Sequence, residues 1–214
     1  MGDLHRRLPG LRIGRSNAVV EALIPSILEQ KVVGLEARRS YARMVRALGE
    51  PAPGPSPRSP GRSSPGGLMV PPDPGRVAST PSWAFHRFGV ERKRADTIRR
   101  ACSYAARLEE SVDMAPGDAR RRLTALPGIG PWTAAEVAIV ALGDADAVSV
   151  GDYHLANQVA WALAGEPRAD DARMLELLEP WPGHRGRVIR LIVHGFGVAP
   201  RYGPRMPLRS IAGQ

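Results

Sequence analysis

The chain of 214 residues carries a formal net charge of +9 and 43% hydrophobic residues, which is typical of a globular protein with a buried core. No apolar run approaches the roughly 18 residues of a membrane span and no signal-type segment follows the first residues, so we expect neither insertion nor export. The single cysteine, Cys102, excludes an internal disulfide, a four-cysteine iron–sulfur cluster and a cysteine-based zinc site. The positive charge favours a nucleic-acid partner, although a GC-rich coding sequence also yields an arginine-rich chain.

The first 49 residues contain two predicted helices. The first starts after Ser16 or Asn17, both good N-cap residues, and continues to Val33, with Pro25 expected to kink it or to begin a new turn. The second spans about 35–48, where apolar side chains recur at helical spacing. We expect both helices to join the core that the later part of the chain forms.

Residues 50–75 are rich in proline, glycine and serine. Proline stands at every second position from Pro51 to Pro57, and a chain of this composition forms neither helix nor sheet. We therefore predict an extended surface linker over 50–75 that joins two helical lobes.

Helical periodicity resumes after the linker and dominates residues 76–214. We predict further helices at 74–79, 81–87, 91–110, from Pro116, and at 132–142, 152–164, 170–178 and 184–195. Cys102, within the helix 91–110, is expected to be a core residue. No segment shows a convincing strand ladder. The predicted fold is all-α, with two helical lobes joined by the linker and by a crossing helix.

The most specific motif is the hairpin, residues 126–131, with the sequence Leu-Pro-Gly-Ile-Gly-Pro. Gly128 and Gly130 are expected to permit positive φ and to leave room for a ligand against bare backbone. Pro131 suits the first turn of the next helix, whose free N–H groups and positive dipole end then point outward. Such a site holds a phosphate group without distinguishing base sequence.

Asp152 follows the second hairpin helix and a loop. Taken alone it is a helix cap, because Asp is among the best N-cap residues. Together, however, the hairpin and Asp152 resemble the pattern of the helix-hairpin-helix DNA glycosylases, in which such a hairpin precedes an essential Asp. Within that superfamily, Trp132-Thr133-Ala134 and Gly151-Asp152-Tyr153 are most similar to the 3-methyladenine glycosylase II branch. The resemblance extends from about residue 11 to 195 and includes the segments 26–32, 67–72 and 89–95.

The resemblance implies an active-site cleft between the two lobes, with residues 1–49 and 76–214 forming one catalytic unit. It implies an enzyme of base excision repair that flips an alkylated base of the 3-methyladenine type out of double-stranded DNA and hydrolyses its N-glycosidic bond. Asp152 would stabilise the oxocarbenium-like sugar and position water. The residues implied for the base pocket are Trp132, Tyr153 and Glu136. Those implied for DNA contact are Gln30, Lys31, Gly128, Ile129, Gly130 and Thr133.

The resemblance also implies a reaction without strand cleavage. Many relatives that act on oxidised or mismatched bases carry a lysine nucleophile in the second hairpin helix, where this chain has Trp132, and Lys31 and Lys93 are its only lysines. No cofactor is expected, and a monovalent cation at the hairpin is the one ion that the resemblance allows. We expect a monomer without membrane contact, in the bacterial cytoplasm with the nucleoid.

Several departures from the branch leave alternatives open. Lys31 replaces an apolar or Gln wedge, and Glu136 stands where some relatives have an aromatic residue, so Glu136 either alters lesion choice or faces solvent. Core packing is the alternative for Trp132 and Tyr153, and helix capping is the alternative for Gln30. The last helix lacks a tryptophan that stacks in one type of relative.

The amino-terminal β domain of longer branch members is either dispensable here or lies upstream of this sequence. Two competing functions also stay open. One is a non-catalytic helix-hairpin-helix module that binds DNA, and the other is a glycosylase for oxidised or mismatched bases.

Overall fold

The computed structural model describes residues 1–53 and 68–200. These residues form helices joined by short irregular segments, so the predicted all-α class is confirmed. None of the helices described is long and apolar enough to cross a membrane. The α-helices are α1 (Gly2–Arg7), α2 (Val19–Leu28), α3 (Gly34–Leu48), α4 (Pro74–Ser79), α5 (Arg92–Ser103), α6 (Ala105–Glu109), α7 (Pro116–Thr124), α8 (Pro131–Val137), α9 (Leu155–Ala164), α10 (Asp171–Leu178) and α11 (Arg185–Gly195). Shorter helical turns are the 3-10 segments Ser82–Phe88 and Glu110–Asp113 and the π turn Ala138–Leu142.

The described residues divide into two compact units. The first comprises Met1–Leu23 and residues 107–200, and the second comprises residues 24–53 and 68–106. The chain passes between the units within α2 and at α6. Both flanks of the proline-rich stretch belong to the second unit, which corrects the prediction that this stretch joins the two lobes.

The ends of the predicted linker 50–75 are more regular than expected. Glu50–Pro51 (β1) pairs antiparallel with Met69–Val70 (β2), and the N–H of Ala52 donates to the Leu68 carbonyl over 2.8 Å. Proline is tolerated in such a short edge pair because the unpaired side of the strand needs no N–H donor. The predicted helix 74–79 is confirmed as α4, which overlaps the last two residues of the predicted linker. Residues 54–67 lie outside the described residues.

The start of α2 is capped from a distant part of the chain. The prediction of Ser16 or Asn17 as N-cap is wrong, because the carboxylate of Glu109 accepts the N–H groups of Val19 and Val20 over 2.8 and 2.9 Å. The backbone N–H groups of Ser16 and Asn17 instead donate to carbonyls of the π turn, over 3.1 and 3.0 Å. Glu109 thus satisfies N–H groups at the start of α2, and Ser16 and Asn17 satisfy carbonyl groups of the π turn. A helix terminus would otherwise leave such groups unpaired.

A cluster of apolar side chains from α1, α9, α10 and α11 forms the main core of the first unit. Its fully buried members include Val159, Met174, Leu178 and Ile192. Helix α1 was not predicted, because only Leu4 among its residues is buried and so no apolar period is visible. This core fixes α9 and α11, which together flank the candidate site.

The second unit packs α4, α5 and the 3-10 segment around Phe85 and Phe88, whose rings meet edge to face at 5.9 Å. The predicted helix 91–110 is interrupted, because α5 ends at Ser103 and Tyr104 leaves helical geometry. Cys102 is a core residue as expected. Burial raises the pKa of its thiol to about 12, with a further contribution from the Asp73 carboxylate.

Candidate active site

The hairpin joins α7 to α8 with its backbone exposed to solvent. Gly128 has φ +95°, which L side chains rarely adopt, whereas Gly130 has φ −97°, and a Cβ atom at Gly130 would meet no atom within 4 Å. Gly128 therefore uses the positive φ that glycine permits, whereas Gly130 does not, and the space expected beside Gly130 is present. Ile129 is buried and anchors the turn, and Pro131 begins α8.

The acidic loop, residues 143–152, follows the π turn and leads into α9. Asp144 is buried and accepts a hydrogen bond from Arg120 over 2.8 Å. Asp146 accepts two hydrogen bonds from the forked guanidinium of Arg185, which holds the pKa of Asp146 at about 2. Gly186 lies so close to the loop that a Cβ atom there would stand 2.6 Å from a loop carbonyl oxygen. The loop is thus fixed from both α7 and α11.

Asp152 ends the acidic loop and caps α9. Its Oδ1 accepts the N–H groups of His154 and Leu155, each over 2.8 Å. Within the described residues no hydrogen bond reaches Oδ2. The preceding Gly151 has φ +92° and donates its N–H to Asp171 over 2.9 Å. The interpretation of Asp152 as a helix cap is therefore confirmed for Oδ1. Oδ2 stays available to a ligand.

Asp152 lines a cavity of about 320 Å³ in the first unit, within the range of about 300–1,000 Å³ that is usual for ligand sites. Glu136 of α8 lines the same cavity, and the Ser149 hydroxyl donates a hydrogen bond to Glu136 Oε1. The other polar lining residues are His154, Gln158 and Arg190, and the apolar ones are Ile139, Ala147, Leu155, Ile189, Val193, Phe196 and Val198.

Two of the aromatic residues predicted for the base pocket lie away from this cavity. Trp132 is half-buried, and its indole N–H is buried without a hydrogen-bond partner among the described residues. Tyr153 is 84% exposed, and its ring meets that of His154 edge to face at 4.8 Å. This exposure excludes core packing, which was the alternative interpretation of Tyr153. Phe196 is the aromatic residue that lines the cavity.

The remaining predicted DNA contacts differ in exposure. Thr133 is buried, with 2% of its surface exposed. Gln30 and Lys31 belong to the second unit and form the turn that ends α2. Lys31 is exposed and has φ +58°, an uncommon conformation for a residue other than glycine. The buried Arg94 supports this turn by donating to the Leu28 carbonyl over 2.9 Å.

Sequence reasoning missed four polar residues of the cavity, namely Ser149, His154, Gln158 and Arg190. Ser149 and Arg190 stand in segments that look like ordinary loop and helix. Gln158 lies one turn into α9, where its amide binds the backbone of Gly197 and Ala199 over 2.7 and 2.9 Å.

An all-α unit with this hairpin, followed by an aspartate at the start of the next helix, is the fold of the helix-hairpin-helix DNA glycosylases. No protein-family model matches the chain. A 3-methyladenine DNA glycosylase from Archaeoglobus fulgidus superimposes with a TM-score of 0.73 at 20% identity, over 90% of this chain and 64% of that one. An 8-oxoguanine glycosylase/lyase from Clostridium acetobutylicum, bound to double-stranded DNA, gives 0.70 at 14% identity, over 89% and 63%.

Sequence similarity points to one branch within this fold. The chain is 30% identical, over 162 residues, to a probable bifunctional transcriptional activator/DNA repair enzyme AlkA from Mycobacterium tuberculosis. The match covers 70% of this chain but only 28% of the curated relative. The resemblance to the glycosylase superfamily and to its 3-methyladenine branch is thereby confirmed.

Proposed function

We propose that this chain is a DNA glycosylase that hydrolyses the N-glycosidic bond of an alkylated base in double-stranded DNA. The observation that supports it best is Asp152. Its Oδ1 is fixed by the start of α9, its Oδ2 receives no hydrogen bond from the described residues, and Asp152 lines a cavity of suitable size. A carboxylate held in this way stabilises the positive charge that develops on the sugar as the base departs.

The hairpin supplies the binding part of the proposal. Gly128 and Gly130 are exposed and carry no side chain, and α8 begins directly after them at Pro131, so the hairpin is suited to a phosphate group. Sequence-independent contact of this kind lets an enzyme hold any duplex while a damaged nucleotide is flipped. Flipping costs a few kcal/mol, and less where the base is damaged and weakly paired.

The reaction proposed is hydrolysis without strand cleavage. A glycosylase that also nicks DNA needs an amine that forms a Schiff base with the opened sugar. Lys31 and Lys93 are the only lysines of the chain, and both lie in the second unit, while Trp132 stands at the start of α8. An 8-oxoguanine glycosylase/lyase shares the fold, so base release followed by cleavage of the DNA strand is the alternative to be tested.

Duplexes with one alkylated, deaminated or oxidised base test the proposal. We expect release of free 3-methyladenine or 7-methylguanine and an abasic strand that breaks only after hot alkali. Borohydride should trap no protein–DNA adduct. Release of 8-oxoguanine with an adduct that is lost in Lys31→Ala would instead support the lyase. DNA binding without release of any base would support a non-catalytic module.

A further inference from the structure

The polar groups of the cavity are not equally available to a ligand. Gln158 uses both ends of its amide on the backbone of Gly197 and Ala199. The Ser149 hydroxyl is directed at Glu136 Oε1. Glu136, Asp152, His154 and Arg190 remain as the groups that could meet a base or a sugar.

Glu136 and Asp152 are coupled through Ser149. The Ser149 hydroxyl holds one oxygen of Glu136, and its carbonyl accepts the backbone N–H of Asp152 over 3.3 Å. Ser149 is itself buried, with 3% of its surface exposed. Within the described residues no hydrogen bond or ion pair reaches Glu136 Oε2. Glu136 is therefore an oriented acceptor with one oxygen free, on a different element from the aspartate.

The formal charge of the cavity lining is negative, since two carboxylates stand against the single guanidinium of Arg190. A partly desolvated carboxylate favours a ligand that brings positive charge and a hydrogen-bond donor. Asp152 meets this need at the sugar in the proposed reaction. Glu136 has no role there, and it shares with Ile139, Phe196 and Val193 a lining that is otherwise largely apolar.

We propose that Glu136, held by Ser149, is the residue that selects the base: its free oxygen accepts an N–H of a flipped purine that carries positive charge. This inference rests on the proposed function. Purines alkylated at ring nitrogens carry that charge and keep an exocyclic amine. Ethenoadenine has its amine closed into a ring and offers no such donor, so it leaves the carboxylate buried and unpaired. Ser149 is a positioning residue in this assignment.

The test compares single-turnover release of 7-methylguanine with that of ethenoadenine, using the full chain and matched duplexes. Glu136→Gln should lower release of 7-methylguanine by about 10–100-fold, the loss expected for a hydrogen bond to a charged group. Release of ethenoadenine should stay the same or rise. Ser149→Ala should shift the ratio of the two rates in the same direction, and the double variant should equal Glu136→Gln alone. Glu176→Gln, an exposed carboxylate of α10 outside the cavity, is the control.

The outcomes separate this inference from the proposed function. Equal loss of both activities in Glu136→Gln would overturn base selection, because it would indicate a role in folding or in the chemical step. An unchanged ratio in folded Glu136→Gln would also overturn it, and Glu136 would then only face solvent. If Ser149→Ala does not fold, the ratio of 7-methylguanine release to ethenoadenine release in Glu136→Gln still tests the role of Glu136. Release of 3-methyladenine without release of 7-methylguanine by the unaltered chain would overturn this inference and leave the proposed function standing, whereas no release of any alkylated base would overturn both.

Discussion

The hairpin and the acidic loop are held in place by opposite means. The hairpin keeps its shape through its own backbone: Gly128 supplies the positive φ, Pro131 starts α8, and Ile129 anchors the turn in the core. The acidic loop depends on side chains far away in the sequence, with Asp144 bound to Arg120 and Asp146 bound to Arg185. The shape of the hairpin is thus local, whereas the position of Asp152 at the end of the acidic loop depends on contacts with α7 and α11.

The strongest test of this comparison concerns Asp152 itself. Asp152→Asn keeps a capping oxygen for α9 but loses the negative charge, so base excision should fall at least about a hundredfold while DNA affinity stays similar. Asp170→Asn is the matched control, because Asp170 lies outside the cavity and its Oδ1 accepts the N–H three residues on, from Arg173 over 2.9 Å, as Asp152 Oδ1 accepts that of Leu155. Single-turnover excision and anisotropy with damaged duplex measure both properties. Near-normal excision by folded Asp152→Asn would make Asp152 a cap and nothing more.

The same contrast explains what the sequence could predict. The hairpin, the start of α8 and the place of Asp152 before α9 depend on local residue types, and the structure agrees with the sequence on all three. The cap of α2 by Glu109 and the anchors of the acidic loop join residues widely separated in the chain, so no local pattern shows them. Exposure of Tyr153 and lining of the cavity by Phe196 depend on how α9 and α11 pack, which one sequence does not reveal.

A second test concerns the close packing of α11 against the acidic loop. In Gly186→Ala the new Cβ would meet the Ala147 and Ala145 carbonyl oxygens at 2.6 and 2.9 Å, so α11 or the loop must move. We expect a loss of about 1–3 kcal/mol in the free energy of unfolding, as for other overpacked sites, and weaker excision. Urea denaturation and the excision assay measure these. Gly14→Ala is the control, because nothing lies within 4 Å of that position; equal stability of the two variants would contradict close packing.

A third test separates the two glycines of the hairpin. Gly128→Ala should cost about 1 kcal/mol of stability because of its positive φ, whereas Gly130→Ala should change stability by less than about 0.5 kcal/mol. Gly130→Leu should nevertheless weaken binding to undamaged duplexes of every sequence about equally, since the side chain would stand where phosphate approaches. Anisotropy at several salt concentrations measures this, and the affinity of the unaltered chain should fall steeply with salt. An unchanged affinity of Gly130→Leu for duplex DNA would show that the hairpin does not contact the duplex.

The smallest effect concerns acid stability of the loop. Arg185 holds the pKa of Asp146 at about 2, below its ordinary 3.8, so the folded chain binds this proton more weakly than the unfolded chain does. The stabilisation is therefore fully present above the ordinary pKa and is lost as the pH falls from about 4 towards 2. Asp146→Asn should lower the free energy of unfolding by at most about 1 kcal/mol at pH 6, because solvent screens this partly exposed pair. The difference from the unaltered chain should shrink at pH 3.

Asp113→Asn, an exposed carboxylate without an ion pair among the described residues, serves as control in the same urea series. A difference for Asp146→Asn that is the same at pH 6 and pH 3 would show that the ion pair with Arg185 does not stabilise the acidic loop.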